Sequence, residues 1–263
     1  MERLFLVLAV VILCIGCSKS EKNEPSTNYP ELPNLDDVCS AMDDLDFMKY
    51  CYENFDVNKD GKVSILEANA VEKIEICGVK SLEGIQYFSN LKELYLCDES
   101  HDRGGNLTAL DISKNTKLEA LVCSHNQFKE LSLSNENLTH LFLQYNTELE
   151  KLHLSNLPNL VWLDCSYNKL YSLDVSHNTR LSRLYCRDNK LLTLNVSNNI
   201  ELDGIFCMNN NLSTLDISNT KITATGLNTT NNPHLTSLWV NSNQASHLSS
   251  YVIDRTITEI KVK

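Results

Sequence analysis

The chain has 263 residues, with 34 acidic against 23 basic side chains and a net charge of −11. That balance argues against nucleic acid or an anionic lipid surface as a partner. No nucleophile elbow, P-loop, His-Glu-x-x-His helix or Rossmann glycine pattern occurs, so no enzyme is expected.

Met1-Glu2-Arg3 precedes a twelve-residue apolar run, Leu4 to Ile15. The run is too short to cross a bilayer core of about 30 Å. Gly16-Cys17 and then polar residues follow it. A small residue and a cysteine after such a run resemble a bacterial lipoprotein signal, which implies cleavage before Cys17 and lipidation of that cysteine. Cys14 stands three residues before the cut, where such signals more often have leucine. Residues 1–17 are read as the signal through Cys17. Residues 18–38, polar with Pro25, Pro30 and Pro33, are read as a flexible tether. The charged start of the tether is similar to the stretch that sends Bacteroidetes-type lipoproteins to the outer face. The resemblance implies a monomer held by lipid on the bacterial outer membrane, at the cell surface.

Residues 39–73 are expected to form a cap around a metal loop. Asp56, Asn58, Asp60, Ser64 and Glu67 fall at positions 1, 3, 5, 9 and 12 of a twelve-residue run, with Gly61 at position 6. A hard divalent cation needs about 6–8 oxygens, which a short loop supplies by alternating ligand and spacer and turning at a glycine. Lys62 adds its backbone carbonyl, and Glu67 closes the site with two oxygens. Phe47, Tyr50, Cys51 and Phe55 make one apolar helix face before the loop, and Glu67 to Lys73 can begin an exit helix. The segment from about residue 43 to 73 resembles an EF-hand, which implies calcium. Three carboxylates beside Lys59 and Lys62 predict an affinity of about 0.1–1 mM. There is no second loop to pair with, so this one is expected to pack on the repeats that follow.

Those repeats occupy residues 74–263. The units begin Leu91-Lys-Glu-Leu94-Tyr-Leu96, Leu118-Glu-Ala-Leu121-Val-Cys123, Leu138-Thr-His-Leu141-Phe-Leu143, Leu160-Val-Trp-Leu163-Asp-Cys165, Leu181-Ser-Arg-Leu184-Tyr-Cys186 and Leu202-Asp-Gly-Ile205-Phe-Cys207. Leu235-Thr-Ser-Leu238-Trp-Val240 is taken as the last. A period of about 21 residues is the mark of a leucine-rich repeat. The long step from Leu91 to Leu118 points to an insertion at His101–Gly105, and the step from Leu202 to Leu235 to a bulge between Ser218 and His234. Each coil has a second half, such as Leu170-Tyr-Ser-Leu173-Asp-Val175. The expected fold is a mainly β leucine-rich-repeat solenoid with two short strands per coil, a small N-terminal helical EF-hand cap and a C-terminal closing strand. The two halves resemble Bacteroidetes-type repeats.

Within a unit, positions 1, 4 and 6 point inward. Asn126, Asn146, Asn168, Asn189, Asn210 and Asn243 recur at position 9, where a buried amide can satisfy backbone groups of neighbouring turns. Cys123, Cys165, Cys186 and Cys207 fill a slot that Leu143 and Val240 also hold, as expected for small buried hydrophobes with inert thiols. A disulfide among Cys39, Cys51, Cys77 and Cys97 is open, and sequence does not choose the pair.

Outward positions of the first half carry Tyr95, Phe142, Trp162, Tyr185, Phe206 and Trp239, with His140 and Arg183 among them. Such a row can hold a protein or glycan partner, or serve as a ladder of β-favouring side chains. The reading is a non-enzymatic, calcium-binding envelope lipoprotein whose solenoid binds a partner. The alternative is an assembly subunit docked on a fixed outer-membrane protein.

Overall fold

The computed structural model describes residues 36–96, 105–223 and 225–263. The signal, Cys17, most of the tether, Cys97 and all of the expected insertion except Gly105 lie outside the described residues. Two helices come first, α1 (Leu45–Phe55) and α2 (Ile65–Ala70). Then follow β1 (Lys73–Glu75), β2 (Glu93–Tyr95), β3 (Ala120–Val122), β4 (Glu130–Ser132), β5 (His140–Phe142), β6 (Lys151–His153) and β7 (Trp162–Asp164). The order closes with β8 (Arg183–Tyr185), β9 (Gly204–Phe206), β10 (Thr214–Asp216), β11 (Leu227–Asn228), β12 (Ser237–Val240), α3 (Ser242–Ala245) and β13 (Glu259–Val262).

The expected solenoid is present. Eight strands pair in parallel in the order β1-β2-β3-β5-β7-β8-β9-β11. Strict register stacks Leu94, Leu121, Leu141, Leu163, Leu184 and Ile205 side by side. All six are without solvent exposure, because a one-residue slip would turn the leucines to solvent. The second halves give a broken row, β4-β6 and β10-β12-β13. Between these pieces Leu173 and Leu194 are buried without forming strands.

The main-sheet strands β3, β5, β7, β8, β9 and β11 are each followed by a turn residue in the left-handed region. His125, Tyr145, Tyr167, Asp188, Asn209 and Asn231 have φ between 54° and 59°. The asparagine that follows turns inward and anchors the bend. Asn168 Nδ2 donates to the carbonyls of Leu143 (3.0 Å) and Cys165 (2.8 Å), one coil back and in its own coil. Asn146, Asn189 and Asn210 repeat the pattern. A second ladder, not foreseen, runs along the other halves: Asn199 Nδ2 donates to the carbonyls of Val175 and Asn178, both at 2.9 Å. Asn115, Asn135 and Asn178 precede it in that column.

The last unit requires correction. Trp239 and Leu238 do not continue the main sheet: β12 pairs with β10, matching Leu215 to Leu238 and Asp216 to Trp239. The step from Leu202 is filled by a disguised coil instead of a bulge. Its strand is β11, paired with β9 through Leu227 and Ile205. Thr229 stands in the cysteine slot, and Asn232 makes the ladder bonds to Cys207 (3.0 Å) and Thr229 (2.9 Å). Asn243 therefore leaves the ladder and lies in α3. Gln244 takes the corresponding role in the second column, donating to the carbonyls of Ile217 and Thr220. The closing segment is split where the alternation from Tyr251 suggests one strand: Val252 makes an isolated parallel bridge to Asn228 of β11, and β13 pairs in parallel with β12.

The cap shares its apolar core with the first coil. Phe47 and Cys51 of α1 are fully buried, and Phe47 and Phe55 pack on Phe88 with ring centroids 6.3 and 5.6 Å apart. Asp44 caps α1 by accepting from Asp46 and Phe47 (both 3.0 Å), and its second oxygen takes the Lys80 amide at 2.7 Å. The exit helix starts earlier and ends sooner than expected. Ser64 and Glu67 form a capping box that opens α2 at Ile65, and Val71 is already extended before β1. Asp37 and Val38, expected in the tether, are packed against the cap: the Val38 amide donates to the Val63 carbonyl at 2.8 Å, and Val38 is fully buried.

Candidate functional site

The loop expected to take a metal joins α1 to α2, and its side chains curl onto its own backbone. Asp56 accepts from the amides of Asp60 (3.2 Å) and Gly61 (3.0 Å). Asn58 Oδ1 accepts from Asp60 (2.9 Å), and Asp60 Oδ1 from Lys62 (2.9 Å). Each bond turns an odd-numbered side-chain oxygen back into the bend. Gly61 sits at φ +83°, where a side chain would be strained. Glu67 reaches across the loop to the Val57 (2.9 Å) and Asn58 (3.2 Å) amides, while its other oxygen takes the Ser64 amide and hydroxyl. These bonds from Ser64, with those from Asn58 and Val57, hold the Glu67 carboxyl down at about 2, so it is ionised at neutral pH.

Among the described residues no three His, Cys, Asp or Glu side chains converge as a ready metal cluster. The loop is of another kind. It has three carboxylates, Asp56, Asp60 and Glu67, and neutral oxygens from Asn58, Ser64 and the Lys62 carbonyl. An all-oxygen set of this mixture suits a hard cation with a large shell and does not suit zinc or copper. The donor set therefore fits calcium. Glu67 would have to yield its bonds to Val57 and Asn58 in part to close the site.

Val63 is bonded by Asp37 and Val38. Asp37 Oδ1 accepts from the Val63 amide at 3.1 Å, and the Val38–Val63 bond completes a two-residue ladder. Asp37 Oδ2 also accepts from the Tyr52 hydroxyl at 2.6 Å, tying this segment to α1.

The aromatic row lies on the outward side of the main sheet. His140, Phe142, Trp162, Tyr185 and Phe206 are brought together, all half-buried. Asp164 occupies a row position between Phe142 and Tyr185, and the larger Trp162 ring spans the gap, 5.6 Å from Phe142 and 5.9 Å from Tyr185. Tyr185 and Phe206 stack at 4.6 Å with planes 8° apart. Tyr95 is set off from these rings by Val122 and lies under Lys73 at 4.5 Å. Trp239 is not in the row, because its strand belongs to the second sheet, and it sits there under Lys261 and Lys263.

A second line of rings runs beside the first. His125, Tyr145 and Tyr167, the left-handed turn residues of three successive coils, stack at 4.5 and 4.4 Å, and Arg187 covers Tyr167 at 4.7 Å. The signal was visible as a ring before each ladder asparagine, in Ser-His-Asn, Gln-Tyr-Asn and Ser-Tyr-Asn, but such positions read as plain turns. Between the two lines runs a polar strip. Ser124 donates to Gln144 (2.7 Å), Gln144 to Asp164 (2.9 Å), and the Ser166 amide to Asp164 (2.9 Å).

Burial raises the Asp164 carboxyl above its usual range despite the bonds from Ser166 and Gln144 and the nearby Arg187 charge. A raised folded-state value means that stability is present at acid pH and is lost as pH rises through that value. Asp164→Asn should therefore melt above the wild type at neutral pH and level with it at acid pH, as calorimetric scans across pH would read. Burial also acts on three thiols of the cysteine column and disfavours their thiolate forms. Burial pushes the Cys207 thiol up to about 12 and raises Cys165 and Cys186 as well.

No family model and no curated protein matches the chain. Among solved structures, internalin C2 of Listeria monocytogenes is similar over 86% of this chain and 96% of its own, at 19% identity and a TM-score of 0.57. A leucine-rich-repeat protein of Bacteroides eggerthii is similar over 65% of this chain and 31% of its own, at 18% identity and a TM-score of 0.50. The functional domain of InlJ from Listeria monocytogenes, described as including a cysteine ladder, gives 20% identity over 86% of this chain, with a TM-score of 0.38. This chain spans 61% of that domain. At these identities the likeness is one of fold, the leucine-rich-repeat solenoid.

Proposed function

We propose that the chain is a non-enzymatic binding protein that holds a protein partner on the two ring lines and the polar strip between them, with calcium stiffening the cap. The observation that carries the reading is the contiguous, half-exposed patch of Phe142, Trp162, Tyr185 and Phe206, a concentration of rings typical of interface anchors. Ring geometry favours protein over glycan. A sugar stacks on a free ring face, whereas Tyr185 and Phe206 each cover one face of the other. Rings packed in this way beside a polar strip suit side chains of a folded partner. The N-terminal sequence supports an exported, lipid-anchored chain of Bacteroidetes type at the outer membrane. The assembly-subunit reading uses the same face and differs only in whether one partner is fixed.

The test is capture from paired protein and glycan panels in millimolar calcium. Trp162→Ala should weaken a protein hit by about 2 kcal/mol or more, roughly 30-fold. Packing between neighbouring rings is worth about 0.5–1.5 kcal/mol per pair, so the same variant should also melt modestly lower. Tyr171→Ala, an exposed ring in the second half of its coil, should leave capture unchanged. Equal loss in both variants, or glycan hits alone, would overturn the assignment. Co-purification of one stoichiometric partner would favour the assembly subunit.

A further inference from the structure

We propose that Cys39 and Cys51 form a disulfide that clamps the segment replacing the second loop against the helix leading into the metal loop. Cys39 lies in the short helical turn Val38–Ala41 and Cys51 in α1, two elements that pack on each other and bury both cysteines in one core. Their side chains are in hydrogen-bonding contact, and neither residue has any solvent exposure. The surroundings already hold the two elements in register. Asp37 caps the turn at the Cys39 amide (3.1 Å) and accepts from Tyr52, the residue after Cys51 (2.6 Å). The same Asp37 and its neighbour Val38 bond both polar groups of Val63. A bond between the sulfurs would thus fasten the only strand partner that this unpaired loop has among the described residues.

The other described cysteines are placed differently. Cys165, Cys186 and Cys207 stand side by side in successive coils, pointing the same way into the core, and Cys77 is partly exposed. The chemistry is thiol–disulfide exchange with an oxidised dithiol oxidoreductase or glutathione disulfide. The Cys51 thiolate attacks the oxidant's disulfide and releases one thiol. The Cys39 thiolate then displaces the mixed disulfide and releases the second. Two thiols of the chain are oxidised, and one disulfide of the oxidant is reduced. The contact with Cys39, and then burial, raise the Cys51 thiol above its usual range, so exchange occurs during folding, and the finished bond is shielded from reductants.

The inference rests on the export reading for its oxidising compartment, but its test does not. The full chain is refolded in a glutathione redox buffer with chelator, alkylated, and digested without reduction. The expected result is a peptide pair joined through Cys39 and Cys51, with Cys165, Cys186 and Cys207 alkylated. Reduction should lower the melting temperature by about 5–10 °C, and Cys39→Ser/Cys51→Ser should show no dependence on reductant. Recovery of Cys39 and Cys51 as free alkylated thiols, or the same reductant-dependent shift in the double variant, would overturn the proposal. Export is read separately, from palmitate labelling at Cys17 in cells.

Discussion

Asn189→Ala is expected to lower the stability of the solenoid by about 3–5 kcal/mol, more than any exposed substitution. Asn189 Nδ2 donates to the carbonyls of Cys165 (2.9 Å), Cys186 (3.2 Å) and Arg187 (3.2 Å), and its Oδ1 accepts from the Leu170 amide at 3.0 Å. Alanine would leave these groups without their partner, at a cost of about 1–3 kcal/mol for each buried group left unsatisfied. The loss falls in the middle of a stack where each coil is supported only by its neighbours, so it weakens the coupling of both halves. The melting temperature should fall by roughly 6–15 °C for a domain of this size. Asn198→Ala, an exposed residue that donates only to the Ser176 carbonyl, should change stability by less than about 0.5 kcal/mol. Equal melting of the two variants would refute the ladder as the support of the turns.

Glu67→Gln is expected to abolish calcium-dependent stabilisation while leaving the ion-free cap folded. Glutamine has one acceptor oxygen, so it keeps the Val57 and Asn58 amides but puts an amide NH2 against the Ser64 N–H, and the ion-free cap is somewhat weakened. Glutamine also loses the second anionic oxygen that a bidentate ligand at position 12 provides. With a Kd of about 0.1 mM, 10 mM calcium is about 100 times Kd and stabilises the wild type by about 2.7 kcal/mol. That corresponds to roughly 5–10 °C in melting temperature. In chelator the variant should melt somewhat below the wild type, having lost the Ser64 amide bond, and in calcium only the wild type should shift upward. A full shift in Glu67→Gln would remove Glu67 from the ligand set.

The parts of this architecture legible in the sequence are those that one residue type performs at a fixed spacing. The leucine column, the first asparagine ladder through Asn210 and the apolar face of α1 all stand where the periodicity placed them. The disguised coil escaped because Thr229 and Asn228 replace the expected apolar side chains, while its strand is still specified by neighbours through backbone pairing. Leu238 and Trp239 imitate a first-half unit and were assigned to the wrong sheet, because both halves share the Leu-x-x-Leu spacing. The role of Asp37 was invisible for another reason. It depends on the chain returning 26 residues later to present Val63, a long-range contact that leaves no local pattern. The ring stack at Tyr145 and Tyr167 rests on left-handed turns that tyrosine rarely occupies, and the ladder asparagines next to them hold those turns in place.

The most direct test of the account is a calorimetric titration of the full chain with calcium from micromolar to ten millimolar. The account predicts one ion per chain with a Kd of about 0.1–1 mM, in a loop completed by Asp37 and Val38 in place of a second loop. A flat titration through millimolar calcium, or a stoichiometry of two ions reached through dimerisation, would contradict it.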